Sequence, residues 1–328
     1  IDYLCFGCET DSIDLLNTVA EILINEPKEY KDLLTLNLKT GISFPKARAK
    51  ALDEYFKKYN LDYSLNINSN NYAKYPSDIT SNSNLDINTF INQPNNILGI
   101  EYIKALMRFN SKINPVPLKR LGAGYHSLDT GTKLASATGI RTAMANKDNI
   151  SGLLPDNCLN IIKNHTTIEY NDFSTVLGSK LLSMDTLDHI EGINQDLSNR
   201  IANNKYNFTD IETFIPMLQS KNYTYSAISR ALLHIILDIK TDDIKEFVNN
   251  NYAMILGFTK KSGVLSEISK STKIPLVSKF ATFYKEADNN QRKMLDINLK
   301  ADNLYRMIYM NKTSEILPTE FQRQIIIK

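Results

Sequence analysis

The chain has 328 residues, 42% of them hydrophobic and 23% charged, a balance that excludes collagen, coiled coil and wholesale disorder. Its 38 lysines and arginines stand against 36 aspartates and glutamates, a formal charge of +2, so any nucleic-acid contact has to come from a local patch. Three cysteines are too few for a disulfide framework and point to a reducing, cytoplasmic compartment; the most apolar stretch, 231–239, is broken by His234 and Asp238 and falls far short of the roughly 20 residues a membrane span needs.

The chain opens on Ile1-Asp2-Tyr3-Leu4-Cys5-Phe6-Gly7, which alternates like a buried strand ending at a glycine. A core strand as first element, with no methionine ahead of it and no leader pattern, leads us to expect that the beginning of a domain is missing. Glu9-Thr10-Asp11 then caps a helix in which Ile13, Leu16, Val19, Ile22 and Leu23 share a face, stopping before Pro27. A second helix covers 28–38 and closes at Gly41. A third covers 46–59, with Ala47, Ala51 and Phe56 inward and Arg48, Lys50, Lys57 and Lys58 wet. Residues 60–93 are rich in asparagine, serine and aspartate without a period and read as a polar insertion. Pro94-Asn95-Asn96 starts a helix with Ile97, Ile100, Leu106 and Met107 on its apolar face. Residues 113–119 are extended, with Pro115 and Pro117 confining them to an edge. A glycine-rich turn at Arg120-Leu121-Gly122-Ala123-Gly124-Tyr125-His126 precedes a helix opened by Ser136-Ala137-Thr138-Gly139-Ile140-Arg141.

Beyond residue 150 the period is helical, at 157–163, 173–184, 195–202, 210–219, 224–239 and 291–309, and only 252–257 and 274–277 look like strands. The expected organisation is therefore α/β: a partial Rossmann-like domain over 1–149, with 60–93 inserted, followed by a mainly helical domain over 150–328.

Three places carry the chemistry of anion or nucleotide binding. Gly7 ends a strand, where a missing side chain lets a ligand approach the backbone, although a plain turn explains it as well. Asn95 and Asn96 at a helix start serve equally as caps or as amides offered to a base or ribose. Ser136 and Thr138 sit where free N–H groups collect at a helix start, with Arg141 one turn in and Arg120 on the preceding loop, which together suit a phosphate. Cys5 and Cys8 lack further metal ligands nearby, so no metal site is expected. His234 interrupts an apolar face and reads as a packing residue, whereas His126 has a loop address.

Taken together, Leu4-Cys5-Phe6-Gly7-Cys8-Glu9, Phe44-Pro45-Lys46-Ala47-Arg48-Ala49, Pro94-Asn95-Asn96-Ile97-Leu98-Gly99, Arg120-Leu121-Gly122-Ala123-Gly124-Tyr125-His126 and Ala135-Ser136-Ala137-Thr138-Gly139-Ile140-Arg141 resemble the tRNA(Met) cytidine acetate ligases, in that family's order. Tyr223 to Leu237, Ile255-Leu256-Gly257-Phe258, Ile274-Pro275 and the closing Gln324-Ile325-Ile326-Ile327 extend the resemblance over nearly the whole chain. It implies a nucleotidyltransferase-like domain that uses ATP, with Mg2+, to adenylate acetate, and then acetylates the wobble cytidine of elongator tRNA(Met); it implies no DNA and no membrane. By the same resemblance Gly7, Asn95 and Arg120 match ATP contacts, and Ser136, Thr138 and Arg141 the phosphate loop. The family's histidine-containing HxGH motif lies upstream of Ile1, so the resemblance leads us to expect a chain that is inactive alone, with the catalytic residues outside it. The acyl pocket is expected there too. Arg48, Lys50, Lys57, Lys58, Lys260, Lys261 and Lys279 are the candidate RNA contacts. Another adenylyltransferase, or a non-catalytic RNA-binding module, remains an alternative.

Overall fold

A computed structural model of the protein describes residues 1–59, 61, 87–120, 135–247, 251–260 and 263–328. The chain divides into two compact units, 1–159 and 160–328, a division ten residues later than the composition shift at 150.

In the first unit, strand β1 (Tyr3–Cys8) pairs in parallel with β2 (Asn114–Lys119), Gly7 opposite Leu118 and Cys8 opposite Lys119. Along β1 Phe6 and Cys8 are buried while Cys5 and Gly7 are exposed, the period of two that a half-buried strand requires. The prolines of β2 fit this pairing by parity. Asn114 N–H donates to the Asp2 carbonyl at 2.9 Å and Arg120 N–H to the Cys8 carbonyl at 2.8 Å, so the even-numbered donors face β1. Pro115 and Pro117 fall on the opposite side, where a missing N–H costs this pairing nothing.

Between the strands lie helices α1 (Ile13–Asn25), α2 (Lys28–Lys39), α3 (Phe44–Lys58), α4 (Ile87–Asn92) and α5 (Pro94–Arg108). Their apolar faces meet β1 in one core that includes Phe6, Leu16, Val19, Leu52, Phe56, Phe90 and Ile103. The expected cap of α1 is corrected: Ser12 accepts from Leu15 N–H at 3.4 Å, and Glu9 and Thr10 turn to another task. The insertion is also shorter than expected. Ile87, Phe90 and Ile91, spaced as one helical face, are buried in the core, so 87–92 is a helix; residues 60 and 62–86 lie outside the described part. On α5 the buried positions are Asn96, Gly99, Ile100 and Ile103, rather than the face through Ile97, Leu106 and Met107. An added Cβ at Gly99 would stand 2.5 Å from the Phe6 ring, which is why the helix can lie so close to β1. Helices α6 (Ala137–Ala145) and α7 (Asp156–Asn164) complete the helices that begin in this unit.

The second unit packs α8 (Ser174–Ser183), α9 (Gln195–Asn204), α10 (Ile211–Leu218) and α11 (Tyr225–Leu237) around Leu177, Leu181, Leu197, Phe214, Ile215, Ile228, Leu232 and Ile235. His234 Nδ1 meets the Glu191 carbonyl at 2.8 Å, a packing histidine with its polar atom satisfied. Then follow α12 (Thr241–Phe247), β3 (Ala253–Met254), β4 (Gly257–Phe258), α13 (Val264–Ser271), β5 (Leu276–Val277), α14 (Phe280–Glu286), α15 (Asn289–Thr313) and β6 (Ile326–Ile327). The single strand expected over 252–257 is two, each finding its own parallel partner: β3 pairs with β5 and β4 with β6. Among the described residues no helix is long and apolar enough to cross a membrane.

Candidate nucleotide site

The carboxyl ends of β1 and β2 gather three of the expected residues. Gly7 is exposed one residue before the end of β1, and a Cβ built there would lie 3.5 Å from Arg120 Cγ, so the arginine stem runs over the glycine at ordinary contact distance. Arg120 directly follows β2, is held there by its N–H bond to Cys8, and keeps its side chain exposed. Asn95 reaches the same strand end through Glu9, two residues beyond Gly7: its Nδ2 donates to Glu9 Oε1 at 2.6 Å.

The two adjacent asparagines have different jobs. Asn96 is fully buried, and its Oδ1 accepts from the backbone N–H groups of Glu9 at 2.9 Å and Thr10 at 3.1 Å. Its Nδ2 donates to the Phe90 carbonyl at 3.1 Å and to Gln93 Oε1 at 2.7 Å. Asn96 thus ties the turn after β1 to the start of α5 and leaves little for a ligand. Asn95 is half-buried, and among the described residues its Oδ1 carries no hydrogen bond.

Neither asparagine caps its own helix. The first turn of α5 is capped by the Glu9 carboxylate, whose Oε2 accepts from Asn96 N–H at 3.0 Å and Oε1 from Asn95 N–H at 3.4 Å, the favoured place for an anion. The positive end of α5 is therefore already taken by the chain's own carboxylate. The exposed Arg120 is the cation beside Gly7 at this strand end.

Ser136, Thr138 and Arg141 form a second group on α6. Ser136 is buried and its Oγ accepts from Gly139 N–H at 2.9 Å, so this hydroxyl acts as the helix cap. Thr138 is half-buried and Arg141 exposed. Residues 121–134, which include His126 and all of the glycine-rich turn beyond Arg120, lie outside the described residues.

Beneath the turn, Cys8 is buried, and its thiol faces the Leu118 carbonyl at 3.6 Å. Burial first, and then the carboxylates of Asp11 and Glu9 against the weaker pull of Lys119, push the thiol up to about 11, which keeps it protonated and unreactive. Thr10 and Gln93 were not legible as site residues, and the motifs that contain Glu9 and Asn96 gave no sign that these two meet. Glu9 contacts a helix start 86 positions away, and no local pattern announces that pairing.

The basic candidates are unequal. The face of α3 is not uniformly wet: Arg48 keeps only 18% of its side chain exposed, and its Nη1 lies 3.9 Å from Glu101 of α5. Lys57 donates to Asp53 at 2.7 Å, Lys50 stands 3.9 Å from Glu54, and Lys58 lies 5.4 Å from the centre of the Tyr59 ring. Lys260 and Lys279 are exposed in the second unit, and Lys261 lies outside the described residues.

The family model of the HIGH nucleotidyl transferases matches residues 1–319. A tRNA(Met) cytidine acetate ligase of Halothermothrix orenii is 32% identical over 326 residues, spanning 94% of this chain and 73% of that protein. Another, of Caldanaerobacter subterraneus, is 33% identical over 319 residues, spanning 95% and 73%. The fold matches the crystal structure of Thermotoga maritima TmcAL bound with alpha-thio ATP, with a TM-score of 0.78 at 24% identity over 100% of this chain and 77% of that one.

Proposed function

Because this chain belongs to the tRNA(Met) cytidine acetate ligase family, within the HIGH nucleotidyl transferases, we propose that it binds ATP at the ends of β1 and β2 and serves the acetylation of the wobble cytidine of elongator tRNA(Met). The observation that carries this is the convergence of Gly7, Arg120 and Asn95 on one strand end, where ligands of open α/β sheets bind. The residues present fit ATP. Gly7 gives close access to the backbone, the Arg120 guanidinium supplies charge for a phosphate, and Asn95 offers an amide to the nucleoside. Ser136, Thr138 and Arg141 at the α6 start are the second set we assign to a phosphate, Ser136 by holding the helix start and Arg141 by its exposed charge.

The reaction proceeds by attack of an acetate oxygen on the α-phosphorus with departure of pyrophosphate, followed by attack of the cytosine amine on the acetyl carbon with departure of AMP. Both steps depend on alignment and on neutralising phosphate charge, which Arg120 and Arg141 are suited to do. Among the described residues no group of three or more His, Cys, Asp or Glu is placed to hold a metal ion, so Mg2+ is assigned to the triphosphate it accompanies. The tRNA would be met by local positive charge. Residues 251–328 carry 13 lysines and arginines against seven acidic residues, Lys260, Lys261 and Lys279 among them, although the whole chain is nearly neutral.

Acetate-dependent ATP–pyrophosphate exchange by the protein carrying this chain, followed by detection of acetylcytidine in elongator tRNA(Met), is the test. Exchange and acetylation that both fall in Arg120→Ala support the reading. Exchange with a different carboxylate, or none with acetate, would replace the acetylation reading with another adenylyl transfer.

A further inference from the structure

A carboxamide offers a donor and an acceptor of nearly equal size, so naming an asparagine as a nucleotide contact leaves the polarity of the contact open. In this structure the choice is made for Asn95. An ionised carboxylate only accepts, so the 2.6 Å contact with Glu9 Oε1 has to be made by Asn95 Nδ2. Glu9 is itself held at several points: Oε2 accepts from Asn96 N–H at 3.0 Å, Oε1 also takes Asn95 N–H at 3.4 Å, and its own N–H is fixed to the buried Asn96 Oδ1 at 2.9 Å. Turning the Asn95 amide over would set two oxygens against each other beside that fixed carboxylate. The Asn95 carbonyl is therefore locked on the arm away from Glu9.

We infer that Glu9 is a positioning residue that fixes Asn95 with Oδ1 toward the nucleotide, and so selects a ligand that donates a hydrogen bond there: the 6-amino group of adenine or a ribose hydroxyl. A phosphate is excluded from this position, because a carbonyl oxygen beside a carboxylate repels it; the triphosphate lies toward Arg120. The inference rests on the reading of Asn95 as an ATP contact and adds the direction of that contact and the residue that sets it.

The test is calorimetric titration of ATP, inosine triphosphate, 2′-deoxy-ATP and 3′-deoxy-ATP into the wild-type protein and into Glu9→Gln, Asn95→Asp, Asn95→Ala and the Glu9→Gln/Asn95→Asp double variant. The wild-type protein is expected to prefer ATP by about tenfold over whichever analogue lacks the donor, the cost of one unmade hydrogen bond. In Glu9→Gln the new amide donates to Asn95 Oδ1 and turns it over, so ATP binding weakens by about tenfold and the preference disappears. Asn95→Asp sets two carboxylates together and weakens binding as well. The double variant rebuilds the bond with donor and acceptor exchanged, keeps the net charge of the site and leaves an acceptor for the ligand, so it recovers both affinity and preference. Unchanged ATP binding in Asn95→Ala would remove Asn95 from the site and take the underlying nucleotide reading with it. Weakened binding in Asn95→Ala, together with an unaltered preference in Glu9→Gln or a double variant no better than the singles, overturns the inference alone. Preference is a ratio within each folded protein, so a general loss of stability does not produce the pattern.

Discussion

Asn96 shows how much one buried amide can hold. It satisfies two backbone donors of the turn after β1, the Phe90 carbonyl of α4 and the side chain of Gln93 just ahead of α5, from a fully buried position. Asn96→Ala would leave those groups unpaired, and we expect it to cost about 3 kcal/mol in urea unfolding and to weaken ATP binding, since the turn carries Glu9. Gly99 is constrained from the other side. Gly99→Ala drives a methyl group into the Phe6 ring, for an expected loss of about 1–3 kcal/mol, and combining it with Phe6→Leu should return part of that in a double-mutant cycle. Cys8 and Cys5 differ just as sharply. The Cys8 thiol, raised by burial, carries no appreciable thiolate until the pH approaches its value of about 11, whereas Cys5 is exposed. Iodoacetamide at neutral pH should therefore label Cys5 in the folded protein and leave Cys8 unmodified until denaturant is added, as read by mass spectrometry.

The caps divide the elements into those that fix themselves and those fixed from elsewhere. Helix α6 caps itself through Ser136, so Ser136→Ala should cost about 1 kcal/mol and speed amide exchange at Gly139. Helix α5 takes its cap from Glu9, and its start is only as ordered as the turn beyond β1. In the second unit, Asp172 joins the 3-10 turn before α8 to the end of α15. Burial pushes its carboxyl up, but the Glu169 N–H and the Lys312 ammonium, 2.7 Å away, outweigh this and hold it below the usual carboxylate range. A depressed group stabilises at neutral pH and loses that contribution as the pH falls through and below the ordinary carboxylate value. Lys312→Met should therefore weaken the protein at neutral pH and bring its stability closer to that of the wild type as acid is added, in thermal melts taken across that range.

For the molecule as a whole, the charge is nearly balanced yet unevenly placed. The excess over 251–328 is the charge we propose for an RNA backbone, and Lys260 and Lys279 are exposed within it. Reversing both to glutamate should weaken tRNA(Met) binding across salt concentrations and lower the salt slope by about one for each phosphate that is no longer neutralised. Unchanged affinity and slope would take both lysines out of the RNA interface. Arg48, drawn toward Glu101, is a poor member of any such interface, and its replacement should register in stability before it registers in tRNA binding.

Local physics wrote most of the elements directly into the sequence. The period of two over β1, the apolar stripes of α1, α8, α10 and α11, and the Ser136 cap depend only on neighbours within a turn or two, so spacing alone located them. Gly7, Asn95 and Arg120 are singled out in the sequence by family resemblance, and in the fold they lie near one another at the end of β1. What the tertiary structure alone decided is every relation that spans long stretches of chain. It joined Glu9 to Asn95, set Gly99 against Phe6, turned Arg48 toward Glu101 and paired β4 with β6. Helix α4, whose residues read as the tail of a polar insertion, became core because β1 and its helices offered Ile87, Phe90 and Ile91 an apolar face to cover. Such relations follow from how packed elements approach one another, and a carboxylate has no local periodicity to show which helix it will cap.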